Sequence, residues 1–347
     1  ILAAINFPFK AQLFDSEVTS HAMHYVAFLS TVLFCCLPLV NSIPTHSIYD
    51  DHTAVPGYKY YCVGVCTDVV TKTTPGLFLQ GGGTNIDVGY QFLIERSGGG
   101  NFVVLRATDD EDYTEYIYGF GGIQSVGDLM VTTADGANSD FVYNTIVEAE
   151  ALFIVEHDQW AAIKLWNNTR LQKAINTIAQ NGVPLGGTSA GMVILGQYLY
   201  TAQNGSCTSE EALDDPYGTE VTLGTNFFSI SSYVNNVIFD GHLFERDRMG
   251  RLVTFVARLV QDNGVDKYVG IGLDEEAALL VDETGQGTLV NLAMSRSEAQ
   301  SMYIVSPTQS PTECQPGTPL QISQVQVVRV SYGDIVNMNT MVSNSSA

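Results

Sequence analysis

Val183-Pro184-Leu185-Gly186-Gly187-Thr188-Ser189-Ala190-Gly191-Met192-Val193-Ile194-Leu195 is the stretch whose reading decides the fold. A short apolar strand over 183–186 enters the turn Gly187-Thr188-Ser189-Ala190-Gly191, and the apolar run over 192–199 predicts a buried helix. A serine on a tight strand-to-helix turn exposes its Oγ at the top of a sheet, between small neighbours that let the backbone pass closely. Most G-x-S-x-G strings are plain turns. With a strand before it and a helix after it, Ser189 is the candidate nucleophile.

Working outward, strand-like and helix-like stretches alternate. Strands are expected at 77–80, 101–105, 123–131 and 151–155, and helices at 86–96, 112–120, 143–150 and 169–180. The strand Ala151-Leu152-Phe153-Ile154-Val155 is apolar at every position, which requires cover on both faces. The expected fold is α/β, a three-layer sandwich with a mostly parallel central sheet. A strand-rich C-terminal part follows, at 268–273, 277–281, 288–292, 303–305 and 324–330. The polar, acidic stretch 206–224 reads as a surface loop. In sheets of this kind the site lies at the carboxyl ends of the strands. That rim collects Ser189, Gly81-Gly82-Gly83 and Glu156-His157-Asp158-Gln159.

A nucleophilic serine needs a base, held by a third group. Of the six histidines, His21, His24, His46 and His52 precede the α/β region, leaving His157 and His242. His157 follows a buried strand and reads as a rim residue. His242 lies in Phe239-Asp240-Gly241-His242-Leu243-Phe244-Glu245-Arg246-Asp247-Arg248-Met249-Gly250-Arg251-Leu252, where Arg246, Arg248 and Arg251 crowd together in a chain with only 15 Lys and Arg. The functional reading is a base beside a cationic pocket that grips a carboxylate. The plainer reading is a helix start whose arginines pair with Glu245 and Asp247. For the orienting acid, Asp274, Glu275 and Glu276 all follow a strand, and spacing alone leaves the choice open.

The formal net charge is −22 and the pI near 4.3. A surface this acidic argues against nucleic acid and anionic membranes as partners. The apolar run over 26–40, followed by small residues up to Ser42, reads as a secretory signal over 23–42. Residues 1–22 then read as upstream read-through, 43–75 as a polar extension, 76–332 as the α/β domain and 333–347 as a tail. Secretion fits the four remaining cysteines, Cys62, Cys66, Cys207 and Cys314, which allow a local Cys62–Cys66 bridge with Cys207 left to Cys314. It also fits the sequons at Asn167, Asn204 and Asn344.

Together these residues resemble the cyanophycinase branch of peptidase family S51, whose fold resembles class I glutamine amidotransferases. The resemblance covers roughly residues 76–330. It rests on Gly186-Gly187-Thr188-Ser189-Ala190-Gly191, on the Asp240 to Leu252 string, on Gly272-Leu273-Asp274-Glu275 and on Ile94-Glu95-Arg96-Ser97-Gly98-Gly99. It implies Ser189 as nucleophile, His242 as base and Glu275 as acid. It further implies Gln159, Asp240, Arg246, Arg248 and Arg251 as substrate contacts. An oxyanion hole would use the Ala190 amide and an amide of the His157-Asp158 loop.

Two departures stand out. The family has Gly-Gly-Asp-Gln where this chain has Glu156-His157-Asp158-Gln159, which places a carboxylate near the developing oxyanion. It tends to carry Gln where this chain has Gly241, which puts cyanophycin itself in doubt as substrate.

The expected function is a secreted serine hydrolase that cleaves a peptide or isopeptide bond. No metal or other cofactor is implied. Membrane contact should end with signal cleavage, and a homodimer stays open. The alternatives are a binding protein or impaired enzyme of the same fold and, on the Gly81-Gly82-Gly83 loop alone, an α/β-hydrolase esterase.

Overall fold

The computed structural model describes residues 47–49, 57–108, 113–264, 268–296 and 299–344. The expected read-through segment, the expected signal and most of the extension lie outside the described residues.

Among the described residues, eleven strands form the larger sheet. Its centre is five parallel strands in the order Ser125–Val131, Asn101–Arg106, Ala151–Glu156, Leu185–Ser189 and Leu77–Gln80. Antiparallel strands extend both edges. Ser47–Tyr49 and Tyr58–Gly64 lie beyond Ser125–Val131, while Ala277–Val281, Gln286–Asn291, Ile335–Asn337 and Val342–Asn344 lie beyond Leu77–Gln80.

The strand Ala151–Glu156 shows why this sheet is covered on both faces. Leu152 and Ile154 point into one apolar core, and Ala151, Phe153 and Val155 into another. The second core holds Phe78, Tyr90, Leu93 and Phe102, with helix Asp87–Arg96 above it. The first is roofed by helices Asp140–Val147, Gln159–Trp166 and Arg170–Gln180, which contribute Val142, Ile163, Trp166, Ala174 and Ile178. Fully burying a Val, Leu, Ile or Phe side chain contributes roughly 1.5–3 kcal/mol.

A second sheet, of six strands among the described residues, runs in the order Val325–Val330, Met302–Pro307, Val269–Leu273, Val237–Asp240, Tyr198–Tyr200 and Leu223–Thr225. Phe239, Ile271 and Ile304 turn to the first core. Ile238, Leu252 and Phe255 make a third core beneath helix Met249–Asn263. The chain crosses from this sheet to the larger one between Leu273 and Ala277, so Asp274, Glu275 and Glu276 form the corner that joins them.

Four expectations need correction. The helix after Ser189 spans only Ala190–Val193, and Tyr198–Tyr200 is a strand. Gly196 sits where a Cβ would lie 2.7 Å from the Tyr198 carbonyl, so the chain turns there instead of continuing. The stretch 206–224 contains helix Ser209–Asp214, closed by a capping box between Thr208 and Glu211 and anchored by buried Ala212. The described part of the 43–75 extension includes Tyr58–Gly64, whose aromatic and β-branched residues pair along the full length of Ser125–Val131. The expected tail contains Ile335–Asn337 and Val342–Asn344, a hairpin joined to Gln286–Asn291.

Candidate active site

Ser189 ends its strand at φ 53° and ψ −122°, a backbone that aims the side chain out of the sheet. The glycines on either side of it are close approaches. A Cβ at Gly191 would lie 2.2 Å from the Ile154 carbonyl oxygen, and one at Gly187 would lie 2.6 Å from Gly191 itself.

The Ser189 Oγ lies 2.7 Å from His242 Nε2, and His242 Nδ1 lies 2.6 Å from Glu275 Oε1. A carboxylate at Nδ1 selects the tautomer in which Nδ1–H donates to Glu275 and Nε2 accepts from the serine hydroxyl. His242 follows the strand Val237–Asp240 of the second sheet at φ 52°, and its N–H donates to the Gly81 carbonyl (2.9 Å). Burial holds its pKa below the ordinary imidazole value. Arg246 and Arg248 add to that, while the Glu275 hydrogen bond opposes it. This lowering favours the neutral form of the imidazole at neutral pH.

Of the three candidate acids, Glu275 is the one that reaches the imidazole. Asp274 is fully buried and accepts the amides of Phe244 (3.1 Å) and Ser301 (2.9 Å), with burial pushing its carboxyl up to about 6. Glu276 accepts from Thr84 Oγ1 (2.7 Å) and Gln300 Nε2 (2.5 Å). Glu245 reads from sequence as a partner for the arginines. It instead accepts the Glu275 amide at 3.0 Å and supports the corner from outside.

The rim at Glu156 differs from expectation. Glu156 stands level with Ser189 on the neighbouring strand, and its carboxylate is 1% exposed. It accepts from the Ala107 amide (2.7 Å), Thr108 Oγ1 (2.6 Å), and the amides of His157 (3.1 Å) and Asp158 (3.2 Å). The two amides expected to face an oxyanion are thus already taken by the side chain just before them. Burial raises the Glu156 carboxyl above the usual range, against these four donors. The Asp158 side chain caps the helix that follows, and Gln159 donates to the Tyr200 carbonyl (3.1 Å).

The arginine cluster also divides. Arg251 is 2% exposed and forms a bidentate pair with Asp240, Nε to Oδ2 at 2.7 Å and Nη2 to Oδ1 at 2.6 Å. Its Nη1 donates to Ser206 Oγ (3.0 Å) and the Cys207 carbonyl (3.1 Å). Arg251 and Asp240 thus satisfy each other, with Arg248 Nη1 a further 3.8 Å from Asp240 Oδ1. Arg248 half-buries itself, donating to the Gly241 carbonyl at 2.8 Å. This clamps the turn that carries His242. Arg246 is exposed, and its guanidinium has no partner among the described residues.

The Cys62 and Cys66 sulfurs lie 2.10 Å apart, at bonding distance. Cys207 and Cys314 are both buried and unbridged, contrary to the expected pairing. Cys207 lies under the Tyr200–Arg251 contact and Cys314 near Arg258, so each is fixed by different neighbours. Asn167, Asn204 and Asn344 are all exposed. Among the described residues no group of three or more His, Cys, Asp or Glu side chains is arranged to hold a metal ion.

The sequence pattern of peptidase family S51 matches residues 106–288, more than half of the chain, a span that includes Ser189, His242 and Glu275. The cyanophycinase of Trichormus variabilis is 24% identical over 218 residues, 61% of this chain and 65% of that protein. The cyanophycinase of Geminocystis herdmanii is 25% identical over 206 residues, 57% of this chain and 66% of that protein. The chain therefore spans just under two thirds of the length of these relatives. The crystal structure of a peptidase from an acI-B1 actinobacterium shares the fold, with a TM-score of 0.50 and 18% identity, covering 77% of this chain and 98% of that one. With the sequence pattern and the fold agreeing, the chain belongs to peptidase family S51.

Proposed function

We propose that the chain is a serine hydrolase of peptide or isopeptide bonds, with Ser189, His242 and Glu275 acting as one unit. The observation that carries this is the unbroken hydrogen-bonded run from Ser189 Oγ through the imidazole to Glu275. Along the chain the order is serine, histidine, acid, which is not the serine, acid, histidine order of α/β-hydrolases. Ser189 Oγ bonds to the substrate carbonyl carbon as its proton passes to His242 Nε2, and the carbonyl π pair moves onto oxygen. The C–N bond then breaks, and the leaving nitrogen takes the proton from His242. Water then bonds to the acyl carbon as its proton passes to the same imidazole, the carbon–Oγ bond breaks, and that proton returns to Ser189 Oγ. Glu275 holds the ring and stabilises its transient positive charge. The exposed Arg246 is the cation left to meet an acidic group on the substrate.

A fluorophosphonate probe tests this, because it labels only an activated serine. Mass spectrometry should find the adduct on Ser189, and a peptide library should then define the bond cleaved. A protein that binds peptides but leaves the probe unreacted would be a binding member of the family. That second reading is favoured by one observation, the closure of the His157 and Asp158 amides by Glu156.

The setting we infer is extracellular. It is supported by the apolar run over 26–40, the exposed sequon asparagines and the Cys62–Cys66 sulfurs at bonding distance, which we take as a disulfide. Protein recovered from the medium should begin near Ile43 by N-terminal sequencing. Recovery of Met23 at the amino terminus would refute this.

A further inference from the structure

We infer that the second donor to the oxyanion comes from the Gly82–Gly83 turn and not from the loop after Glu156, working with the Ala190 amide. The inference rests on the serine-hydrolase reading above. The Ser189 strand has a parallel neighbour on each side, so two strand ends flank the serine: Gln80 with its glycine turn, and Glu156 with its loop. On the Glu156 side the amides of His157 and Asp158 are held by the carboxylate. On the glycine side the amides of Gly82 and Gly83 have no partner among the described residues, although Gly82 is buried. A buried N–H without a partner is costly and points to a group that arrives later.

Geometry aims that turn at the serine. The Gly81 amide donates to the Ala277 carbonyl on the strand away from Ser189 (3.0 Å), and the Gly81 carbonyl accepts from His242 N–H (2.9 Å). In a planar trans peptide the next N–H points opposite that carbonyl, so the Gly82 N–H turns back towards the Ser189 strand. The Gly82 carbonyl accepts from the Glu276 amide (2.9 Å), which turns the Gly83 N–H away from the corner in the same manner. Both residues hold positive φ, 111° and 75°, a backbone that glycine tolerates. A Cβ on Gly82 would lie 2.5 Å from His242 Nε2, the ring nitrogen that takes the serine proton. A Cβ on Gly241 would lie 2.6 Å from the Gly81 oxygen, so the bare Gly241 lets the turn seat against the histidine. Gln80 is the positioning residue. Its Nε2 donates to the carbonyls of Thr84 (3.0 Å) and Gly82 (3.4 Å), tying the turn from behind.

The test replaces single N–H groups by ester oxygen, using glycolic acid at Gly82 or Gly83 and the matching hydroxy acid at His157. The readout is the second-order rate of labelling by a fluorophosphonate. In that reaction the Ser189 Oγ–P bond forms, fluoride leaves, the proton passes to His242, and negative charge builds on the phosphoryl oxygen. An ester at Gly82 or Gly83 should slow labelling by ~10²–10³-fold, the effect of losing one oxyanion donor. The ester at His157 should label close to the wild-type rate. If both glycine esters label like wild type, or if the His157 ester is the slow one, the inference fails and the serine reading stands. Wild-type protein that never labels at Ser189 overturns both. Should the glycine esters not fold, Gln80→Leu carries the test. Labelling should slow by about tenfold or more while the midpoint of its pH profile, set by His242, stays in place. An unchanged rate, or a displaced midpoint, would overturn the inference.

Discussion

The two strand ends beside Ser189 look alike in sequence position and behave oppositely. Gln80 runs into glycines whose two amides have no partner among the described residues, and its own side chain holds the carbonyls of Gly82 and Thr84 from behind. Glu156 runs into a loop whose two amides its own side chain closes. The difference between an amide donor at the end of one side chain and a carboxylate at the end of the other decides which backbone groups remain free. A loop's place on the rim is therefore a weak guide to its role until the acceptors around it are counted.

The comparison matters only if the strand end between these loops is a reaction centre, and the largest expected effects test that. Ser189→Ala and His242→Ala should each abolish turnover, on the order of 10⁶-fold, with the double variant little worse than either alone. Ser189→Ala removes one hydroxyl and should leave thermal unfolding unchanged. Glu275→Gln should cost roughly 10⁴-fold by favouring the wrong imidazole tautomer. Normal activity in Ser189→Ala would leave the two loops flanking an ordinary turn.

A second contrast, within the arginine cluster, sharpens the first. Arg251 and Arg246 lie five residues apart in sequence, one buried on Asp240 and the other exposed, without a partner among the described residues. Arg251→Ala strips both short hydrogen bonds from buried Asp240 and leaves it only the longer 3.8 Å contact with Arg248, a loss of up to roughly 3–5 kcal/mol. Chemical denaturation should show it as a lowered midpoint. Stability close to wild type would mean that water reaches Asp240, and that the pair is open enough to meet substrate after all.

What the sequence made legible follows from which signals are local. The doubly apolar strand Ala151–Glu156 and the G-x-S-x-G turn carry their own period and turn chemistry, so the parallel centre of the sheet could be expected from them. The nearness of Ser189 to His242 needs a strand from the other sheet, and neither period nor spacing encodes that distance. The same holds for choosing Glu275 over Asp274 and Glu276, which depends on a corner between two sheets. The Glu156 and Arg251 readings failed for a shared reason. Residue type signals that a charge is present, while only packing shows whether it is already satisfied. Tyr58–Gly64 is legible in principle, since Tyr58, Tyr60, Tyr61 and Val63 have strand character, but the polar surroundings with Pro44, Pro56 and Pro75 read as an extension.

Glu156→Gln probes the closed loop directly. The amide keeps one acceptor oxygen and turns an NH₂ towards donors, so some of the four contacts are lost, at about 1–3 kcal/mol for a buried group left unsatisfied. The sign with pH is set by the raised carboxyl of Glu156. The folded chain holds this proton more tightly than the unfolded chain. The wild-type contribution is therefore full below the unfolded value of about 4.3 and is lost as pH rises through the folded value. Urea titrations should show the wild-type advantage over the variant to be greater near about pH 4 than near about pH 7. An advantage that grows with pH would mean that the four donors outweigh burial. The loop would then be locked more tightly than its raised carboxyl implies.

Arg246 offers the smallest effect and the finest test of the open side. Its charge is one of the influences that hold the His242 pKa below the ordinary value, after burial itself. Arg246→Gln removes that charge without touching the hydrogen bonds of the imidazole, so the His242 pKa should rise. Because the base must be neutral to accept the serine proton, the acid limb of the labelling profile should move to higher pH. The variant should then label more slowly than wild type near about pH 5.5, by less than tenfold, with the gap closing as the pH rises. Added salt should shrink the gap further, since an exposed charge is screened. A limb that stays in place would show that Arg246 points away from the imidazole, and the free cation would then have to be sought as a contact for the substrate alone.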